Sequence, residues 1–340
     1  MKIRKTVVTV AVSLAVVCAL LLNGFAVYLV LHPRRASDQV RVWSFTPAAA
    51  ISEQVKRDDM SPEGRFLYLA SFPKVESKQD FNQTCSAVTV DTSILGCYLK
   101  DTKRIYLYHE TDARLDGTEE VMGAHEMLRA AWDRMGASEH KRLLVPLHTV
   151  LSTDHTPDLQ LKERMATIRH NDSVDYDAEL YATIGTDVPS VGPVLAKSYE
   201  EYFTHRGTVT TLSKHSVAYL VALKHKVDAL VSTMNTLGDT IDAEVKNFNS
   251  ADAQLGADID AFNARARRPG GFSTEHQFDV ARAALMARDS ALEATANQIN
   301  GQVDTFNTDL GKLKALDKTA LSLVKSLNID LKPLPDVITA

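Results

Sequence analysis

The stretch best suited to chemistry is 124–130, which reads AHEMLRA. In a helix, residues i and i+4 share a face, so His125 and Arg129 point the same way, with Glu126 beside them. A helix with His-Glu-x-x-His binds zinc through its two histidines, and its glutamate acts as general base for hydrolysis. Here Arg129 occupies the second histidine position, and a protonated guanidinium has no lone pair for a metal.

A catalytic zinc takes three protein ligands and keeps one position for water. Glu179, in AELYATIGT on a later predicted helix, is placed in the sequence to supply the third. The remaining ligand set would be His125 and Glu179, with Glu126 as the base. The other histidines that we considered as replacements do not lie at helical spacing from His125: His109, His140, His148, His155, His170 and His205.

Arginine changes the electrostatics of such a site. A unit positive charge about 4 Å from Zn²⁺ is repelled by roughly 8 kcal/mol at an effective dielectric constant near 20. A guanidinium can instead form a bidentate pair with a carboxylate, and Glu179 is the natural candidate. Our hypothesis is that Arg129 replaces the metal and ties the two helices together.

The N-terminal segment predicts a membrane anchor. The range 6–31 contains no charged residue, and about 20 apolar residues span a bilayer. A secretory signal has a shorter apolar region and a small-residue cleavage site, which we do not find after Leu31. A cleaved signal is the alternative. The net charge of −5 does not favour a nucleic-acid partner.

Orientation in the membrane rests on the cysteines, because three basic residues precede the anchor and three follow it closely. Cys85 and Cys97 are the two cysteines outside the anchor. They favour one disulfide, which needs an oxidising compartment, although a free buried pair is the alternative. We therefore expect a single-pass cell-membrane protein with its N-terminus in the cytoplasm and its bulk outside.

The predicted fold class is α+β, with an anchor at 1–31 and a linker at 32–58. Residues 59–207 should form a small domain with an antiparallel sheet and helices that carry the site. The predicted strand segments are RFLYLASF (65–72), SAVTV (86–90), SILGCYL (93–99) and RIYLYHE (104–110). Helices are predicted over 117–136, from about Ser138, over 175–185 and over 195–206.

Two heptad patterns predict a long antiparallel coiled-coil hairpin over 208–328, followed by a tail at 329–340. The first pattern ends at RARRPGGFS, and Pro269, Gly270 and Gly271 place the tip near 268–274. Each arm of roughly 50–58 residues would be about 75–85 Å long. The hairpin is a candidate surface for a protein partner or for self-association.

The order of these motifs resembles a family of membrane-anchored bacterial zincin-like metallopeptidases. The resemblance runs over 60–328. It rests on LGCYLKDTKRIYLYHE, the AHEMLRA helix, AELYATIGTDV, SYEEYFTHR and the PGGF tip. In that family the zinc helix reads AHEMLHAAY, the later helix supplies a glutamate, and a coiled-coil hairpin comes last. Arg129 is the departure that matters.

The resemblance implies a role for each matching residue. His125 is the first zinc ligand, Glu179 the third ligand and Glu126 the catalytic base if the protein is active. The ligand set is then vestigial or partial, and no cofactor is expected. The family context also supports the pairing of Cys85 with Cys97.

Three functions follow from these residues. The first is an anchored extracytoplasmic pseudoprotease that acts as a binding or scaffolding module of the cell envelope. The second is an active zinc peptidase with a non-standard ligand set, which would need zinc. The third sets the zinc motif aside and gives an anchored coiled-coil protein for adhesion or secretion.

Overall fold

A computed structural model describes residues 23, 33–85, 95–152, 165–166 and 175–327. The helices before the site are α1 (Pro33–Ser44), α2 (Ala49–Arg57), α3 (Pro62–Ala70) and α4 (Lys78–Cys85). The site helices and their neighbours are α5 (Thr118–Arg134), α6 (Ala137–Ser152), α7 (Tyr176–Asp187) and α8 (Pro193–Tyr199). Two long helices follow, α9 (Gly207–Ala266) and α10 (Glu275–Ser326).

The strands form one three-stranded sheet in the order β1–β3–β2. They are β1 (Lys74–Glu76), β2 (Gly96–Leu99) and β3 (Arg104–Tyr108). β2 pairs antiparallel with β3, whereas β1 pairs parallel with it. The predicted α+β class with an antiparallel sheet is therefore wrong, because the described chain is mostly helical and its small sheet is mixed.

The largest local error concerns 65–72, which was predicted as a strand. Ser61 caps a helix there by accepting a hydrogen bond from the Gly64 amide at 3.0 Å, and Pro62 stands at its first turn. Leu67, Tyr68 and Leu69 of α3 are all buried. A short run of consecutive apolar residues fits a buried helix as well as a strand. The capping residues Ser61 and Pro62 therefore favour the helical conformation of this segment. The segment predicted at 86–90 lies outside the described residues.

The predicted anchor at 1–31 also lies outside the described residues, except for Asn23. Throughout the part of the chain that the structure describes, no helix is long and apolar enough to cross a lipid bilayer. This finding conflicts with the predicted single-pass location in the cell membrane, for which the described residues offer no spanning helix.

Among the described residues, the chain divides into two compact units. The first contains the residues up to Tyr219 together with 324–327, and the second contains Leu220–Leu323. Within the second unit α9 and α10 run antiparallel, because Arg288 bonds Asp258 near one end while Gln298 bonds Glu244 further along. The two long helices are consistent with the predicted coiled coil.

The predicted disulfide is confirmed, since Cys85 of α4 and Cys97 of β2 are bonded and both are fully buried. Phe81 and Tyr108 pack around it as a small second core, with ring centroids 6.0 Å apart. The disulfide fastens β2 to α4. The other face of β2 meets α5, where Gly96 lies against the Glu126 side chain.

The main core of the first unit lies where α5 packs against α7. Gly185 allows the close approach, since a Cβ there would lie 2.3 Å from Leu128 Cδ1 and 2.8 Å from Tyr199 Cε1. Tyr181 is buried between Trp132 and Tyr199, with ring centroids at 5.3 Å and 4.7 Å. This packing fixes α7 beside the face of α5 that carries His125 and Arg129.

The substitution G185A tests the close approach. We expect it to lower the free energy of unfolding by about 1–3 kcal/mol, because the added methyl group must displace Leu128 or Tyr199. The matched control is G256A, at an exposed position of α9 with no atom near the added Cβ. It should raise stability by up to about 1 kcal/mol through helix propensity. Urea unfolding followed by circular dichroism measures both, and equal effects of the two substitutions would contradict the packing.

Candidate functional site

Three of the four site residues lie on α5, and the fourth lies in the first turn of α7. His125 and Glu126 are buried, with 6% and 2% exposure. Asp175 caps α7 by accepting a hydrogen bond from the Ala178 amide at 3.2 Å, which places Glu179 at the start of the helix. The contact between α5 and α7 thus brings together all four residues that the sequence singled out.

The guanidinium of Arg129 lies between two carboxylates. Nη1 donates a hydrogen bond to Glu126 Oε2 at 3.2 Å, and Nε lies 3.5 Å from Glu179 Oε2. Nε makes no hydrogen bond with any described residue, so its contact with Glu179 is an ion pair only. Arg129 therefore bridges Glu126 and Glu179, instead of forming the bidentate pair with Glu179 that we had hypothesised.

His125 completes the cluster. Its Nε2 lies 3.2 Å from Glu179 Oε1, and because a carboxylate only accepts, the imidazole donates this hydrogen bond. Burial acts to lower the pKa of His125, but the negative charges of Glu179 and Glu126 outweigh it and raise the pKa above its usual value. When His125 is protonated, it and Arg129 together balance the charges of the two carboxylates.

The same charges also shift the pKa values of Glu126 and Arg129 on α5. Burial raises the pKa of Glu126, although Arg129 and His125 act in the opposite direction. Burial acts to lower the pKa of Arg129, but Glu126, Glu179 and Asp175 raise it overall. The guanidinium therefore stays charged, and the cluster is held by buried ion pairs.

The donor set can be tested for zinc. Two ligands of a tetrahedral zinc lie about 3.3 Å apart, so the 3.2 Å between His125 Nε2 and Glu179 Oε1 is suitable in itself. The guanidinium is the obstacle, because it places a fixed positive charge against Glu179 and leaves only two of the three ligands. Among the described residues no group of three or more metal-binding side chains is present. The residues do not fit a catalytic zinc.

The histidines considered as substitutes have other partners. His140 Nε2 lies 2.9 Å from the Trp132 carbonyl oxygen, and His148 Nε2 lies 3.1 Å from Asp177 Oδ1. His109 contacts Glu119 and His205 contacts Asp59, also through side-chain nitrogen and oxygen. His155 and His170 lie outside the described residues.

Sequence reasoning missed one chemically unusual residue, Asp58 at the end of α2. Its side chain is 0% exposed, and neither carboxylate oxygen has a hydrogen-bond partner among the described residues. Burial raises the pKa of Asp58 well above its ordinary value of 3.8, and the negative charge of Glu120 adds to this, while Arg57 acts against it. Asp58 follows KR in a polar stretch of the sequence, so no local pattern marks it as buried.

No family model, curated protein or solved structure matches this chain. The resemblance to zincin-like metallopeptidases therefore stays a prediction from the sequence motifs. The geometry of α5 and α7 is the evidence on which a function must be argued.

The substitution R129M tests the ion-pair cluster. It leaves Glu126 and Glu179 buried without the guanidinium, so we expect the free energy of unfolding at neutral pH to fall by about 3–5 kcal/mol. The matched control is K224M, which breaks an exposed pair with Asp228 on α9. It should cost less than about 1 kcal/mol. Chemical denaturation measures both, and a loss at Arg129 no larger than the control would contradict a structural role.

The substitution D58N tests the buried carboxyl through pH. Above pH 3.8 the folded protein keeps the Asp58 proton that the unfolded chain has lost. The wild type should therefore lose stability as pH rises towards the folded-state pKa, by up to about 1.4 kcal/mol per pH unit. The amide that D58N introduces does not titrate, so the stability advantage of this variant should grow with pH. Denaturation curves between about pH 4 and 7 measure it, and a constant difference would contradict a buried titrating group.

Proposed function

We propose that this protein is a non-catalytic binding or scaffolding protein built on a zincin-type pair of helices. The observation that carries the proposal is the place of Arg129, whose guanidinium lies between Glu126 and Glu179. The side chains that a zinc peptidase would use as ligand and base instead form an ion-pair cluster that joins α5 to α7.

The position of Glu126 supports an inactive site. A general base must reach the water that it deprotonates, within about 3 Å or through one further water. Glu126 is 2% exposed, accepts a hydrogen bond from Arg129 and lies against Gly96 of β2. Its carboxylate is therefore committed to the packing of α5 and does not face a substrate.

The long helices support a binding role. A single stripe along each of α9 and α10 is partly or fully buried, as at Met234, Leu255 and Ile299, and most other positions are exposed. Two helices that pack through one stripe leave a large surface for contacts with other molecules. The protein thus has a buried ion-pair cluster in place of a catalytic site, and it has long exposed helix faces that are available for binding.

Zinc content of the purified full chain tests the proposal. After incubation with zinc and desalting, the wild type should retain far less than one zinc per chain by plasma mass spectrometry. R129H should gain zinc, because an imidazole then stands one helical turn from His125, opposite Glu179. The gain should vanish in H125A/R129H and persist in E126Q/R129H, since the base is not a ligand.

Two results would contradict the proposal. Stoichiometric zinc in the wild type that is lost in H125A, together with peptide hydrolysis lost in E126Q, would establish an active metallopeptidase. Absence of any zinc gain in folded R129H would contradict the zincin-type arrangement of α5 and α7.

A further inference from the structure

The turn between the two long helices carries a local excess of positive charge in a chain that is negative overall. The range 261–286 holds four arginines against two carboxylates, whereas the whole chain has a net charge of −5. The arginines are Arg265, Arg267, Arg268 and Arg282, and the carboxylates are Glu275 and Asp279. We call 265–272 the tip.

The tip is held in one conformation by aromatic packing. Phe262, Phe272 and Phe278 contact one another, with ring centroids 5.2–5.4 Å apart. Arg265 stacks over Phe272 at 4.2 Å and donates a hydrogen bond to the Gly271 carbonyl oxygen at 2.6 Å. Gly271 is required there, because a Cβ would lie 1.9 Å from the Arg265 carbonyl oxygen.

This framework presents two exposed cations. Arg267 and Arg268 are exposed, and no ion pair or side-chain hydrogen bond joins either guanidinium to another described residue. A rigid backbone reduces the entropy that is lost when such side chains bind. Guanidinium groups recognise carboxylates through paired hydrogen bonds, so the tip is suited to an acidic surface.

The first unit contains an acidic surface of matching character. A cavity of about 280 Å³ is lined by acidic side chains from the segment between β3 and α5 and from the start of α5. The acidic lining residues are Glu110, Asp112, Asp116, Glu119 and Glu120. We call it the acidic cavity.

The charges of the acidic cavity are only partly compensated. Arg57 pairs with Asp116 and Glu120, and Arg114 pairs with Asp112. Glu119 contacts His109 and accepts a hydrogen bond from Gln54. Glu110 keeps one buried oxygen, Oε2, without a hydrogen-bond partner among the described residues. Burial raises the pKa of Glu110, against two backbone hydrogen bonds that lower it, so a nearby cation would stabilise its charged form.

We propose that the tip of one copy of this chain binds the acidic cavity of a second copy. The two surfaces have opposite charge. Every molecule carries both, so the two binding surfaces are present at equal concentration. The contact joins different surfaces of the two copies, so each bound copy still offers a free tip or a free cavity. Such head-to-tail contacts give closed rings or open chains.

Sedimentation velocity of the full chain tests this contact. At about 50 mM salt the wild type should form dimers and larger species as concentration rises, and at about 500 mM salt it should be monomeric, because salt screens exposed charges. R267E/R268E should be monomeric at both salt concentrations. The matched control K314E/K318E carries the same charge change on exposed lysines of α10 and should associate like the wild type.

A mixing experiment tests the pairing itself. E110Q/D116N keeps the shapes of two cavity side chains but removes their charges, so this variant should also be monomeric alone. Mixed with R267E/R268E, it should form a one-to-one dimer that does not grow, because its intact tip meets the intact cavity of the other variant. Circular dichroism spectra equal to that of the wild type would show that both variants are folded.

Each result decides the proposal. A monomeric wild type at low salt, association of R267E/R268E equal to that of the wild type, or no dimer in the mixture would overturn it. Binding of the tip to acidic peptides or anionic vesicles without self-association would also overturn it. The proposed non-catalytic function is tested by zinc content instead, so the two proposals fail independently.

Discussion

The buried guanidinium of Arg129 is the constraint on which the arrangement of α5 and α7 depends. Two carboxylates, Glu126 and Glu179, are removed from water where the helices meet, and burying two like charges is unfavourable without a compensating cation. Arg129 supplies that charge permanently, and His125 adds a second donor to Glu179. In a zinc site a metal would supply the positive charge that Arg129 supplies here.

Packing around this cluster keeps its geometry. Gly185 lets α7 approach Leu128 closely, and Tyr181 fills the space between Trp132 and Tyr199. On the other side, β2 is held by the disulfide and places Gly96 against Glu126. The cluster is thus enclosed by a helix, a strand and an aromatic core, which explains how charged side chains remain buried.

The sequence allowed helices to be placed better than the sheet. Helix α5 was predicted at 117–136 and runs over 118–134, because its apolar residues recur at helical spacing and a glycine lies near each end. The aromatic and apolar residues of RFLYLASF suit either a strand or a buried helix, and the Ser61 cap with Pro62 favours the helix. The parallel pairing of β1 with β3 depends on contacts between distant segments, which periodicity does not reveal.

The candidate site also has features that the sequence predicts and features that only the tertiary structure shows. The sequence by itself determined that a His-Glu helix carries arginine four residues after the histidine, since this follows from residue type and helical spacing. It offered Glu179 as the acidic partner to consider from its place on a later predicted helix and from the family resemblance. Only the tertiary structure decided that the guanidinium bonds Glu126 and pairs more loosely with Glu179, and that Asp58 is buried with no partner among the described residues. The reason is physical: spacing fixes which side chains share a face of one helix, whereas burial, ion pairing and hydrogen-bond geometry depend on how separate elements pack.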